Sequence, residues 1–168
     1  MIIDNAKLSQ RWLGIVTNFE IMTSKSKVYF FFDNVSIHFR DRSAVKKQVE
    51  YLFINERKKL HQLSYIFCSD SALLQINRQY LKHDYYTDII TFDLSTKGEG
   101  VTGEVYISVE RVRENAKLQG DSFKSELLRV IFHGALHLCG YNDKSLVEKS
   151  RMRRKENEYM SVPRDTVS

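Results

Sequence analysis

The segment HGALHLCGYND, His133 to Asp143, holds two of the five histidines in a chain of 168 residues. On a helix, His133 and His137 stand one turn apart on the same face, so two imidazoles can meet one metal ion. Gly140 permits the left-handed backbone that ends a helix, and the chain can then turn back to bring Asp143 to the open side of the pair. Two imidazoles and a carboxylate make three ligands. Structural zinc sites usually have four protein ligands, whereas three ligands plus a water is the catalytic arrangement, in which the metal draws the water's pKa down towards ~7. The spacing therefore predicts one divalent ion and hydrolysis. From the pair alone, two hydrogen-bonded or solvated imidazoles are the commoner reading. It is not the metalloprotease signature, because Gly134 stands where that motif has its glutamate base. Cys139 lies about 200° around the helix from His137 and reads as a buried residue rather than a ligand.

Strands alternating with helices must hold this segment, which predicts a single α/β domain with a mixed sheet. KVYFFFDN, from Lys27, reads as a β run, and a helix follows from Ser43 with Val45, Val49, Leu52 and Phe53 on one side. Residues 63–69 read as a strand, Asp70 as the cap of a helix to about Leu81, and 88–95 as a strand buried on both faces. KGEGVTG reads as a loop, residues 104–109 as a strand, and the next helix stops at Gly120. Ser122 caps the long helix that carries the histidines. Residues 1–26 lack a sustained period and read as a poorly ordered extension, with Met22 a second possible start and a short amphipathic helix around Trp12 the alternative. Residues 27–168 form the domain.

The net charge of +5 favours an anionic partner such as nucleic acid. Cys68 and Cys139 sit in apolar runs, which predicts reduced packing residues in a cytoplasmic protein. No apolar stretch approaches the ~18 residues of a membrane span, and no secretory leader is evident. RMRRKENEY, 151–159, reads as a solvated helix face, and His83 as a free surface imidazole. Tyr85 and Tyr86 read as packing residues, with base stacking the alternative.

HGALHLCGYND resembles the H-G-x-L-H-L-x-G-Y-D-H signature of the YbeY family, bacterial rRNA maturation factors described as metal-dependent endoribonucleases. NRQYLKHDYYTDIITFDLS is similar to that family's N-x-x-Y-R-x-x-D-x-P-T-D-V-L-S-F block, and GEVYIS to its G-D-I/V-x-I-S strand, over about residues 28–160. The resemblance implies a mixed α/β fold with the histidine helix packed on the sheet. It also implies a zinc-type metal, for which His133, His137 and Asp143 are the ligands here, and action on ribosomal RNA during maturation of the small subunit; a single-stranded or looped segment suits in-line attack, which needs a flexible backbone. Asp143 stands where the family has its third histidine and Asn142 where it has aspartate. This makes the site one charge more negative and opens it to harder ions such as Mn²⁺. The family's arginine falls on Leu81, leaving Arg78 and Lys82 as nearby candidates for a phosphate contact, and Thr87, Asp88 and Thr91 fall near the site. Two rival readings accompany this one: a zincin-like amide hydrolase, and an assembly factor whose metal is structural.

Overall fold

The computed structural model describes residues 2–4 and 26–163. β1 is Ile2–Asp4, β2 Val28–Phe32, β3 Leu60–Cys68, β4 Ile89–Asp93 and β5 Val101–Ser108; α1 is Arg42–Asn55, α2 Asp70–Ile76, α3 Val109–Gln119, α4 Phe123–Leu138 and α5 Leu146–Met160. The strands form one sheet in the order β1-β4-β5-β3-β2. β2, β3 and β5 run parallel, β4 is antiparallel to β5, and β1 is parallel to β4, so the sheet is mixed as the alternating pattern requires. Among the described residues, no helix is long and apolar enough to cross a membrane.

Strand alternation splits the core in two. Leu63, Tyr65 and Phe67 of β3 and Val105 and Ile107 of β5 point into the larger cluster, which α1 and α4 complete. Cys68, Ile90, Phe92 and Tyr106 point the other way, onto Leu73 of α2. α4 is the central helix, with ten buried residues from Glu126 to Leu138. Each large apolar side chain among them contributes ~1.5–3 kcal/mol by leaving water. The Ser122 hydroxyl accepts the backbone N–H of Ser125 and caps the helix start, and Tyr65 Oη donates to the Ile131 carbonyl at 2.9 Å. This packing fixes the rotation of α4, and with it the direction in which the histidines point.

Several sequence expectations are corrected. Ser69, not Asp70, caps α2: its hydroxyl accepts from Ala72 N, while the Asp70 carboxylate takes Ser108 Oγ and Arg111 Nε. The helix there ends at Ile76 and passes into one π-helical turn, Asn77–Leu81, closed by Lys82 in the left-handed region. The helix expected from Ser43 begins at Arg42, after Asp41. Val101–Gly103, expected in a loop, belong to β5 because their backbone pairs with β3 and β4. β1 stands in a stretch for which the sequence predicts no strand; Ile2 pairs with Thr91 and Asp4 with Asp93. The expected poor order of residues 1–26 otherwise lies outside the described residues, apart from Ser26.

Candidate metal centre

His133 and His137 leave α4 on one face with ring centroids 4.4 Å apart and planes at 86°. Gly140, at φ +100°, turns the chain after the helix, and Asp143 comes back over the pair. Its Oδ2 lies 3.6 Å from His133 Nε2 and 3.9 Å from His137 Nε2. The three donor atoms lie within 4.8 Å of one another, so the cluster could hold a metal ion. Ligand atoms around a tetrahedral zinc with bonds of 2.0–2.1 Å stand about 3.4 Å apart, so the two Asp143 contacts are within about half an ångström of that spacing, and the side chains must draw together to complete the set.

The far side of each ring fixes its tautomer. His137 Nδ1 is 2.8 Å from the carbonyl oxygen of Tyr141, which can only accept, so Nδ1 carries the proton and Nε2 presents its lone pair. That Nε2 is buried and has no hydrogen-bond partner. A buried acceptor left unpaired costs about 1–3 kcal/mol unless something binds it, and here it faces Asp143. Burial first, and then the charge of His133, push the His137 pKa down to about 4, which keeps the ring in its ligating, neutral form. His133 Nδ1 is 2.8 Å from Glu156 Oε1 on α5. Burial alone would raise the Glu156 pKa, but His133, Arg153 and Arg129 outweigh it and hold the carboxylate below its ordinary range. An ionised carboxylate behind an imidazole orients the ring and raises its basicity as a ligand.

Glu156 is a residue the sequence reading missed, because it sits within the cationic run expected to be solvated. A signal was available: Met152, Glu156 and Tyr159 recur at helical spacing, and all three are buried. Glu56, just past α1, was missed as well. It accepts from Tyr141 Oη at 2.8 Å and from Tyr159 Oη, and pairs with Lys155 Nζ at 3.1 Å. Glu56 thus ties down both elements that hold the imidazoles, the loop through Tyr141 and α5 through Tyr159 and Lys155.

A cavity of about 330 Å³ opens beside His133 and Asp143, and Asp88, Gln119, Glu126, Arg129 and Arg153 are among its walls. Asp88 Oδ2 accepts from Asn115 Nδ2 at 3.1 Å. Of the other residues expected near the site, Arg78 pairs with Asp84 at 2.6 Å, Lys82 Nζ donates to the Gln79 carbonyl and Thr87 Oγ1 to the Ile89 carbonyl; none of the three lines this cavity. Leu81 packs half-buried against the smaller core. Thr91 is buried on the α4 side of the sheet with its hydroxyl unpaired. Tyr85 and Tyr86 are exposed rather than packed; Tyr85 stacks on His83, whose ring is therefore not free, and Tyr86 lies under Arg111. Cys68 and Cys139 are free and buried, as expected.

Gly134 is explained by packing. A Cβ there would meet Val105 Cγ1 at 2.8 Å and Ile89 Cδ1 at 3.0 Å, so the side of α4 where a zincin carries its glutamate is pressed onto the sheet.

The family model described as Endoribonuclease YbeY matches residues 15–162. The protein named Endoribonuclease YbeY from Cytophaga hutchinsonii is 44% identical over 135 residues, 80% of this chain and 94% of that protein. Its namesake from Bacteroides thetaiotaomicron is 50% identical over 105 residues, 62% of this chain and 76% of that one. A solution structure of a Thermotoga maritima protein superposes with a TM-score of 0.56 at 26% identity, covering 79% of this chain and 85% of that one. With the match running through the histidine helix and both strands beneath it, the chain belongs to the YbeY endoribonuclease family.

Proposed function

We propose that the protein is a metal-dependent endoribonuclease that cleaves single-stranded segments of ribosomal RNA precursor during maturation of the small subunit, in the cytoplasm where ribosomes assemble. The observation that carries the reading is the buried, unpartnered Nε2 of His137, facing Asp143 beside the Nε2 of His133. The relatives' names, Endoribonuclease YbeY, support RNA as the substrate. A divalent ion, Zn²⁺ first, held by His133, His137 and Asp143 would polarise the phosphodiester or its attacking water and offset the charge that develops at phosphorus.

The chain's own residues do the rest. Glu156 and the Tyr141 carbonyl hold each imidazole in the ligating tautomer. The Arg129 and Arg153 guanidinium groups line the cavity next to the cluster and orient phosphate oxygens there, a task for which the exposed Arg78 and Lys82 are placed elsewhere. A flexible strand suits the cavity because in-line attack requires a backbone free to rotate. The contact of Gly134 with Val105 and Ile89 speaks against the peptidase reading.

Single-turnover cleavage of a small-subunit rRNA precursor tests the proposal, using chelator-treated protein, the same protein after metal is restored, and His133→Ala. Cleavage is expected only in the metal-restored wild type. Cutting that survives chelation and the His133→Ala change would remove the cluster from the chemistry, and a wild type that binds metal but cuts no RNA would leave the metal as a structural staple.

A further inference from the structure

α5 continues outward from the cavity. At 100° per residue, Lys149, Arg153, Leu146, Arg154, Val147 and Arg151 succeed one another around about 200° of the helix. Lys149 and Arg153 line the cavity beside His133, while Leu146, Val147, Arg151 and Arg154 line an open groove of about 470 Å³ that contains no carboxylate. Glu158 falls on the same arc one turn further along, where Lys155 neutralises it at 3.1 Å. Neither Lys149 nor Arg154 has an ion-pair partner among the described residues, and the Arg151 guanidinium lies over the Tyr141 ring, 4.9 Å from its centroid. Leu146 and Val147 are 85% and 79% exposed, unusual for branched apolar residues at the start of a helix in which Met152 and Tyr159 are buried and Met160 is partly buried.

We infer that this arc of α5 is the track along which the RNA strand leaves the metal centre, its phosphates on Arg154 and Arg151 and an unpaired base against Leu146 and Val147. The inference rests on the endoribonuclease reading and says which surface beyond the cluster binds the substrate. Arg151 and Arg154, in a groove without a carboxylate, match a polyanion, and the arc is continuous with the cavity where the scissile phosphate must lie. Exposed apolar side chains between the cations select a single strand, since only unpaired bases offer their faces.

Fluorescence anisotropy with a short labelled 2′-O-methyl oligouridylate tests this on the intact metal-bound protein, over a range of salt concentrations. The proteins compared are wild type, Arg154→Ala, Arg151→Ala/Arg154→Ala and Val147→Ser. Because Arg151 touches Tyr141, metal content is measured on each. The slope of log K against log salt is expected to fall by about 0.7 for one arginine removed and about 1.4 for two. Val147→Ser is expected to weaken binding with the slope unchanged. If wild type binds and cuts RNA while the arginine variants bind with wild-type affinity and slope, the track is wrong and the nuclease reading stands. A wild type that neither binds nor cuts overturns both. Equal loss of affinity for a duplex overturns the single-strand assignment, and binding of polyglutamate in place of the oligonucleotide gives the surface to an acidic protein instead.

Discussion

The cavity beside His133, about 330 Å³, and a second one of about 230 Å³ on the opposite face of the sheet differ in what their walls leave unpaired. The second is walled by Phe31, Phe32, Ile66, Ile76 and Tyr106, and none of its wall atoms is among the buried unpaired ones: Tyr106 Oη donates to Glu104 at 2.8 Å and Cys68 Sγ to the Ile107 carbonyl at 3.6 Å. Burial pushes the Cys68 thiol up to about 12, so it is not a nucleophile. On the α4 side the pattern reverses. The buried side-chain atoms without a hydrogen bond among the described residues are Gln48 Oε1, Thr91 Oγ1, Glu126 Oε2, Arg129 Nε and His137 Nε2. All five sit on α1, on α4 or on the strand face beneath them. Glu126 Oε2 and Arg129 Nε face each other at 3.6 Å, too far for a hydrogen bond. Unsatisfied buried polar atoms are expensive, and their concentration on one face locates the chemistry better than the size or apolarity of a hollow.

If the two faces are this distinct, damage to one should spare the other. Leu73→Ala on the apolar face is expected to cost ~2–5 kcal/mol in folding stability, measured by denaturant titration, because Leu73 is buried and its loss leaves a hole. Metal affinity per folded chain should not change, and a parallel fall would show the faces to be coupled. Glu156→Gln on the α4 face should do the reverse: metal affinity drops ~10- to 100-fold in competition with a chromogenic chelator, with helix content retained. Unchanged affinity would make Glu156 a packing residue only.

Asp143 sharpens the contrast further, since it is exposed to more than a third of its side chain and carries little of the core. If it is a ligand, Asp143→Asn weakens metal binding and Asp143→His keeps it, because an amide is a poor donor and an imidazole a good one. The opposite order would make it an ordinary turn residue whose side chain bonds the local backbone.

The smallest effect expected is at Glu56. Burial alone would raise its pKa, but the hydroxyls of Tyr159 and Tyr141 and the ammonium of Lys155 bring it below its ordinary 4.5. A carboxylate with a depressed folded-state pKa contributes stability above its unfolded pKa and loses it as pH falls through the folded value. Glu56→Gln should therefore flatten the loss of stability below pH 4.5, in thermal melts of the full chain. Parallel acid limbs for the two proteins would mean that the clamp is electrostatically idle.

The sequence was readable where the information is local. The i, i+4 spacing of His133 and His137, the stop at Gly140 and the return of Asp143 all lie within eleven residues, and the structure brings the three together. The caps Ser122 and Gly120 were equally readable. What was not readable depends on packing between distant segments. Glu156 meets His133 across 23 residues and Glu56 meets Tyr141 across 85; the spacing of Met152, Glu156 and Tyr159 marks a buried helix face, but nothing in either neighbourhood names the partner. The π turn at Asn77–Leu81 has ordinary helical composition, so nothing in NRQYL announces the change of hydrogen-bond spacing. Val101–Gly103 looked like loop because of the glycines around them, yet pairing on both sides makes them strand. Leu81 illustrates the converse: the sequence showed that a family arginine was missing, and only the structure shows arginines of α4 and α5 in the wall of the adjacent cavity.

Metal stoichiometry tests the central claim most directly. Elemental analysis of wild type purified without chelator, beside His133→Ala/His137→Ala prepared identically, should give about one divalent ion per chain for the first and none for the second. Equally little metal in both, with both folded, would contradict the account, since the lone pairs of His133 and His137 would then meet nothing but each other and Asp143.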